Sequence, residues 1–165
     1  MAEIPYRSHA IQLASRLGEL ATAAGIFVTT AESCTGGGVA TAITSVSGSS
    51  RWFGCGFITY SNEAKQHQLG VKSVTLNKVG AVSAEVVSQM VAGACQASGA
   101  SLAVAISGIA GPDGGSRRKP VGTVFIAWGD QVQQHAECYH FSGDREAVRA
   151  QAVDAALEGL IAQLT

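Results

Sequence analysis

Apolar residues recur along this chain with two alternating periods. Ile11, Leu13, Ala14, Leu17, Leu20, Ala21 and Ala24 fall at helical spacing and predict an amphipathic helix, with Ser8 as its N-cap and Gly25 as its stop. Ile26 to Ala31 then reads as a buried strand, and Gly37 to Thr44 as a short helix ending before the Ser47-Gly48-Ser49-Ser50 turn. Gly54 to Tyr60 predicts a second strand, in which Gly54, Cys55 and Gly56 mark a bulge or a close backbone approach. Ser61 caps a helix running through Lys65 and Leu69 to Gly70. Ser83 with Glu85 opens another, whose Val86, Val87, Met90, Val91, Ala94 and Cys95 face a core before Gly99. Leu102 to Ile106 is an unbroken apolar run, the pattern of a strand covered on both faces. Val121 to Trp128 and Val132 to Phe141 predict a hairpin turning at Gly129-Asp130, and Asp144 starts a last helix carrying Val148, Val153, Leu157, Leu160, Ile161 and Leu164. Helices alternating with buried strands predict an α/β fold: a three-layer α/β/α sandwich on a mixed, mostly parallel sheet with a late β-hairpin.

Length and composition narrow the classes. The 165 residues suit a single domain spanning 1–165, and 47% hydrophobic against 14% charged residues describes a core-rich globular chain. A net charge of -1 supplies no field for drawing in polyanions, so nucleic acid is not an expected partner. Cys34, Cys55, Cys95 and Cys138 lack CxxC spacing, which indicates reduced thiols rather than a zinc knuckle or disulfide scaffold. The first residues carry Glu3, Pro5 and Arg7 with no apolar leader core, and no window has the length of a membrane span. A cytoplasmic protein without a membrane partner is expected. Trp52 and Phe53 after the Gly-Ser-Ser turn either mark an interface or close the core.

Chemistry concentrates where strands end. Thr29-Thr30-Ala31-Glu32-Ser33-Cys34-Thr35-Gly36-Gly37-Gly38 is an apolar strand running into polar side chains and a helix start. A lone Ser or Thr there is an ordinary cap, but this turn holds four polar side chains where one cap suffices, and its three glycines fit close approach of a ligand. Ser33 and Cys34 are both candidate nucleophiles. At the next strand end, Thr59-Tyr60-Ser61-Asn62-Glu63-Ala64-Lys65 offers a base: desolvation can bring a lysine pKa low enough to take a serine proton, with Tyr60 as relay or orienter and Asn62 as a substrate contact. The loop from Ser107 through Gly108, Ala110 and Gly111 to Gly115 is richer in glycine than a connector needs and can cradle an anion through its amides, although it has no P-loop ending. Arg145 and Arg149 share a helix face at i, i+4 and could hold an anion. The tip Ser116-Arg117-Arg118-Lys119 reads as mobile, solvated charge. His135, Cys138 and His140 are too few for a metal site.

Seven segments in this order (TTAESCTGG, GSSRWF, GFITYSNEAK, VGAVS, ISGIAGPDGGS, KPVGTVFIAW and FSGDREAVR) resemble the CinA C-terminal domain family, from about Leu17 to the last helix. The chain is most similar to the family's stand-alone members, which are nicotinamide-nucleotide amidases; the molybdopterin-type domain of bifunctional relatives has no counterpart in it. The resemblance implies hydrolysis of the carboxamide of nicotinamide mononucleotide (NMN) to nicotinate mononucleotide and ammonia, in pyridine nucleotide recycling, with no metal or cofactor. It implies Ser33 as nucleophile, Lys65 as base, Tyr60 as helper and the loop from Ser107 as pocket lining, and by analogy a homodimer. Backbone N–H groups of Cys34, Thr35 and Gly36 are then the expected oxyanion donors, and the loop Gly108 to Gly111 or the pair Arg145 and Arg149 the expected phosphate anchor. A non-catalytic nucleotide-binding or regulatory module, linked to competence or DNA damage, is the alternative.

Overall fold

The computed structural model describes residues 5–165. In chain order its elements are α1 (Pro5–Ala24), β1 (Val28–Glu32), α2 (Gly38–Thr44), a single 3-10 turn (Ser49–Arg51), β2 (Phe53–Ile58), α3 (Asn62–Leu69), α4 (Ser73–Val79), α5 (Ala84–Ser98), β3 (Leu102–Gly108), β4 (Thr123–Gly129), β5 (Gln134–His140) and α6 (Arg145–Gln163). The strands form one sheet in the order β2-β1-β3-β4-β5. Pairing is parallel for β2–β1 and β1–β3 and antiparallel for β3–β4 and β4–β5, so β4 alone runs against the rest.

Alternation along the strands sorts the core into two layers. Val28, Leu102, Val104, Ile106, Val124, Ile126 and Trp128 point to the side covered by α1, α2 and α6, whereas Ala31, Ala103, Ala105 and Ala127 point to the side covered by α5. The alanine face lets α5 lie close to the sheet. Its Val86, Val87, Met90, Val91, Ala94 and Cys95 are all buried, as their spacing predicts.

Several local expectations change. Helix α1 starts at Pro5, so Ser8 sits inside it and is not its cap; proline at a first helical position forfeits no hydrogen bond. Helix α4 has no counterpart in the pattern, because only Leu76 of its seven residues is buried. The expected irregularity in β2 is present: between Val28↔Phe53 and Thr30↔Gly56 the strand carries one extra residue, and a Cβ on Gly56 would stand 2.4 Å from Thr30 Oγ1. Trp52 is buried and closes the core against Gly18. The tip of the 109–122 loop is folded rather than free: Ser116 N–H donates to the Lys119 carbonyl at 2.8 Å, and the Lys119 ammonium donates to the carbonyls of Val79 and Val82. Among the described residues, no helix is long and apolar enough to cross a membrane.

Candidate active site

The carboxyl ends of β1, β2 and β3 meet where the chain, having moved outward from β1 to β2, crosses back to β3, the place at which open α/β sheets leave a crevice. Two ladders run one residue past the strands there. Ser33 N–H donates to the Ile106 carbonyl at 3.0 Å and Thr59 N–H to the Glu32 carbonyl at 2.9 Å, so both residues are fixed by the sheet rather than carried on free loops.

Glu32, immediately before Ser33, is fully buried. Its carboxyl accepts Thr35 Oγ1–H at 2.7 Å, Val39 N–H at 2.9 Å and Ala40 N–H at 3.1 Å. The free amides at the start of α2 are thus spent on an internal side chain, not on a ligand. The glycines have a matching explanation. Gly36 (φ 59°) and Gly37 (φ 100°) make the left-handed turn into α2, and a Cβ on Gly38 would come within 2.8 Å of Val153 on α6. Turn geometry and helix packing, rather than ligand approach, require them.

Helix α3 delivers the lysine. Ser61 caps it by accepting Ala64 N–H at 3.0 Å, and Lys65, in its first turn, reaches back with only 1% of its surface exposed. Its Nζ lies 3.0 Å from Ser33 Oγ, 2.7 Å from the Thr59 carbonyl and 3.3 Å from the Tyr60 carbonyl. Among the described residues no carboxylate lies within ion-pair distance of this amine, and burial pushes its pKa below the ordinary lysine value. A neutral amine has two N–H groups and one lone pair. The two carbonyls take the N–H groups, and the lone pair is left to accept the Ser33 hydroxyl proton.

Ser33, Cys34, Tyr60, Asn62, Lys65, Ser107, Gly108, Ala110, Gly111 and Arg145 all line one cavity of about 280 Å³, together with Ala81, Val82, Ile109, Asp113 and Gly114. Of the last five, Ile109, Asp113 and Gly114 belong to the glycine loop expected to line the pocket, whereas Ala81 and Val82 lie in the VGAVS segment, which carries no expected site role. Arg145 spans the cavity, donating to the Gly111 carbonyl at 2.8 Å and to the Tyr60 hydroxyl at 3.1 Å. Tyr60 therefore meets the lysine through its carbonyl, while its phenol faces Arg145.

Three expectations need correction. Gly36 N–H donates to the Ser33 carbonyl at 3.0 Å and is not free to serve as an oxyanion donor; Cys34 and Thr35 remain. Arg149 lies outside this cavity, because its guanidinium donates to the carbonyls of Cys34 at 3.1 Å and Thr35 at 3.2 Å. It holds the nucleophile loop, and together with Arg145 and Ala110 it lines a neighbouring cavity. The Cys34 thiol, raised to about 11 chiefly by burial, is protonated at neutral pH, which removes the basis for a thiolate nucleophile.

Residues 10–164 match the model of the CinA C-terminal domain. The chain belongs to this family. Among its members, the nicotinamide-nucleotide amidohydrolase PncC of Pseudomonas putida is 62% identical, over 90% of this chain and 93% of that protein. The protein of the same name from Escherichia coli K12 is 54% identical, over 93% of each chain. The family fold is equally clear in three dimensions: the crystal structure of competence/damage inducible protein CihA from Agrobacterium tumefaciens superposes with a TM-score of 0.92 at 43% identity, over 98% of both chains.

Proposed function

We propose that this protein is an NMN amidohydrolase that works through a Ser33–Lys65 pair. The observation that carries the reading is the buried 3.0 Å contact between Lys65 Nζ and Ser33 Oγ, with both remaining amine positions occupied by carbonyls. Relatives named nicotinamide-nucleotide amidohydrolase, at 54% and 62% identity over nearly the whole chain, supply the substrate.

These contacts support the following steps. Ser33 Oγ attacks the carboxamide carbon as its proton passes to Lys65 Nζ. The oxyanion forms beside the N–H groups of Cys34 and Thr35, which donate to no other backbone carbonyl; one such donor is worth about 3 kcal/mol in comparable sites. Lys65 returns the proton to the amide nitrogen as the carbon–nitrogen bond breaks, releasing ammonia and leaving an ester on Ser33. Water, deprotonated by Lys65, then cleaves the ester to free the carboxylate and regenerate the hydroxyl. Arg145 is the cationic side chain of the cavity that this chemistry leaves available for the substrate phosphate. The product, nicotinate mononucleotide, returns to NAD synthesis.

Ammonia release from NMN, nicotinamide riboside and nicotinamide tests substrate and phosphate dependence together. The mononucleotide should be turned over best. Ser33→Ala and Lys65→Ala should each lose roughly 10³-fold or more in kcat, while Cys34→Ala stays near wild type. Retention of NMN with no ammonia released, or full turnover by Ser33→Ala, would sink the reading.

A further inference from the structure

We infer that Lys119 is a positioning residue that ties two walls of the active-site cavity together. The inference rests on the site proposed above but adds a residue that none of the catalytic steps uses. One wall of the cavity is the glycine loop, through Ile109, Ala110, Gly111, Asp113 and Gly114; the facing wall includes Ala81 and Val82, from the connection between α4 and α5. Neither segment has a strand or helix to hold it at the cavity.

Lys119 bridges them. It lies on the descending limb of the glycine loop, whose tip is closed by Ser116 N–H to the Lys119 carbonyl at 2.8 Å and by Lys119 N–H to Ser116 Oγ at 3.1 Å. The base of the same loop is closed by Gly122 N–H to the Ile109 carbonyl at 2.8 Å. From this frame the ammonium donates at 3.0 Å to the carbonyl of Val79, the last residue of α4, and also to the carbonyl of Val82. The first of these is a helix-end carbonyl with no partner within its own helix, where a cation is favoured by the helix dipole. The second belongs to a residue that itself lines the cavity. Among the described residues no carboxylate pairs with Lys119, so its charge is directed at these two carbonyls. The 80–83 turn is stiffened from its other side by Ser83 Oγ–H, which donates to the Gly80 carbonyl at 2.8 Å. A substrate entering the cavity thus meets two loops held at a fixed separation by one side chain.

The test compares wild type, Lys119→Met and Lys119→Arg by hydrogen exchange and by steady-state kinetics with NMN. In Lys119→Met, the hydrogen-bonded amides of the two segments, Gly80 on one side and Ser116 and Gly122 on the other, should exchange about tenfold faster or more, with exchange elsewhere unchanged, because two charge-assisted hydrogen bonds are lost locally. KM should rise about tenfold while kcat stays within about twofold, since looser walls weaken binding without disturbing Ser33 and Lys65. Lys119→Arg, which keeps the cation and its donors, should recover most of both effects. Unchanged exchange at the two segments overturns the inference, and so does uniform acceleration over the whole chain, which would make Lys119 a general stabiliser. A loss confined to kcat overturns it as well. If wild type releases no ammonia from NMN, the proposed function fails, yet the exchange comparison still decides whether the tether exists.

Discussion

Lys65 has the most constrained chemistry in the molecule. As an ammonium it must donate its third N–H to Ser33 Oγ, which turns the hydroxyl proton away and leaves the serine without a base; as an amine it accepts that proton. Burial favours the second state by pushing the pKa below the ordinary lysine value of 10.5. The sign of the consequence is fixed. Between the lowered folded value and 10.5 the unfolded chain binds the proton and the folded chain does not, so the stability of wild type relative to Lys65→Met rises with pH across that window. Over the same lowered value, kcat/KM for ammonia release rises as the amine loses its proton. Urea denaturation of the pair at a series of pH values, beside a pH–rate profile, measures both. A stability difference that is flat with pH, or a rate that falls across the window, would contradict a buried neutral base.

The same lysine is only as well placed as α3, and α3 is placed by a glycine on another helix. At Gly93 of α5 an added Cβ would stand 1.9 Å from the carbonyl oxygen of Leu69, the last residue of α3. Gly93→Ala must therefore push α3 off α5, and Lys65 sits one turn before Leu69. Overpacking of this kind costs about 1–3 kcal/mol, against which the better helix propensity of alanine returns at most about 1 kcal/mol. The expected result is a lowered Tm together with a kcat reduced by about tenfold or more, because the reacting groups lose their contact geometry. An unchanged Tm and kcat would mean that the helices do not bear on each other at this point. No sequence pattern points to Gly93, since its reason lies 24 residues away. Legibility divides along this line elsewhere too. The apolar stripe of α5, the Ser61 and Ser83 caps and the Asp144 cap on Ala147 N–H are local, and each was readable from spacing. Helix α4 buries a single side chain and so leaves no stripe. Glu32 and Lys119 looked like loop polarity, because their partners are set by tertiary structure: amides of α2 in one case, carbonyls 37 and 40 residues away in the other.

At the scale of the molecule, Ser33 stands on the sheet between two helical layers and is held from both. Lys65 comes from the layer of α3, α4 and α5, and Arg149 from α6 in the opposite layer, where Val148, Ala152, Ala156, Leu157 and Leu160 bury the helix against the sheet. Arg149 grips the carbonyls of Cys34 and Thr35, the two residues whose N–H groups are assigned to the oxyanion. Each peptide plane that carries one of these carbonyls also carries the N–H of the next residue. The guanidinium bonded to the Cys34 carbonyl therefore orients the Thr35 N–H directly. Arg149→Met keeps the apolar stem that packs along α6 and removes the donors. Its kcat should fall about tenfold, as a misdirected oxyanion donor costs transition-state stabilisation, with KM for NMN near wild type. Arg149→Lys, a point charge without the planar fork, should recover only part of that loss. A rise in KM with kcat preserved would instead place Arg149 on the substrate, and no effect on either would show that the loop keeps its shape on the strength of Glu32 and the β1–β3 ladder alone.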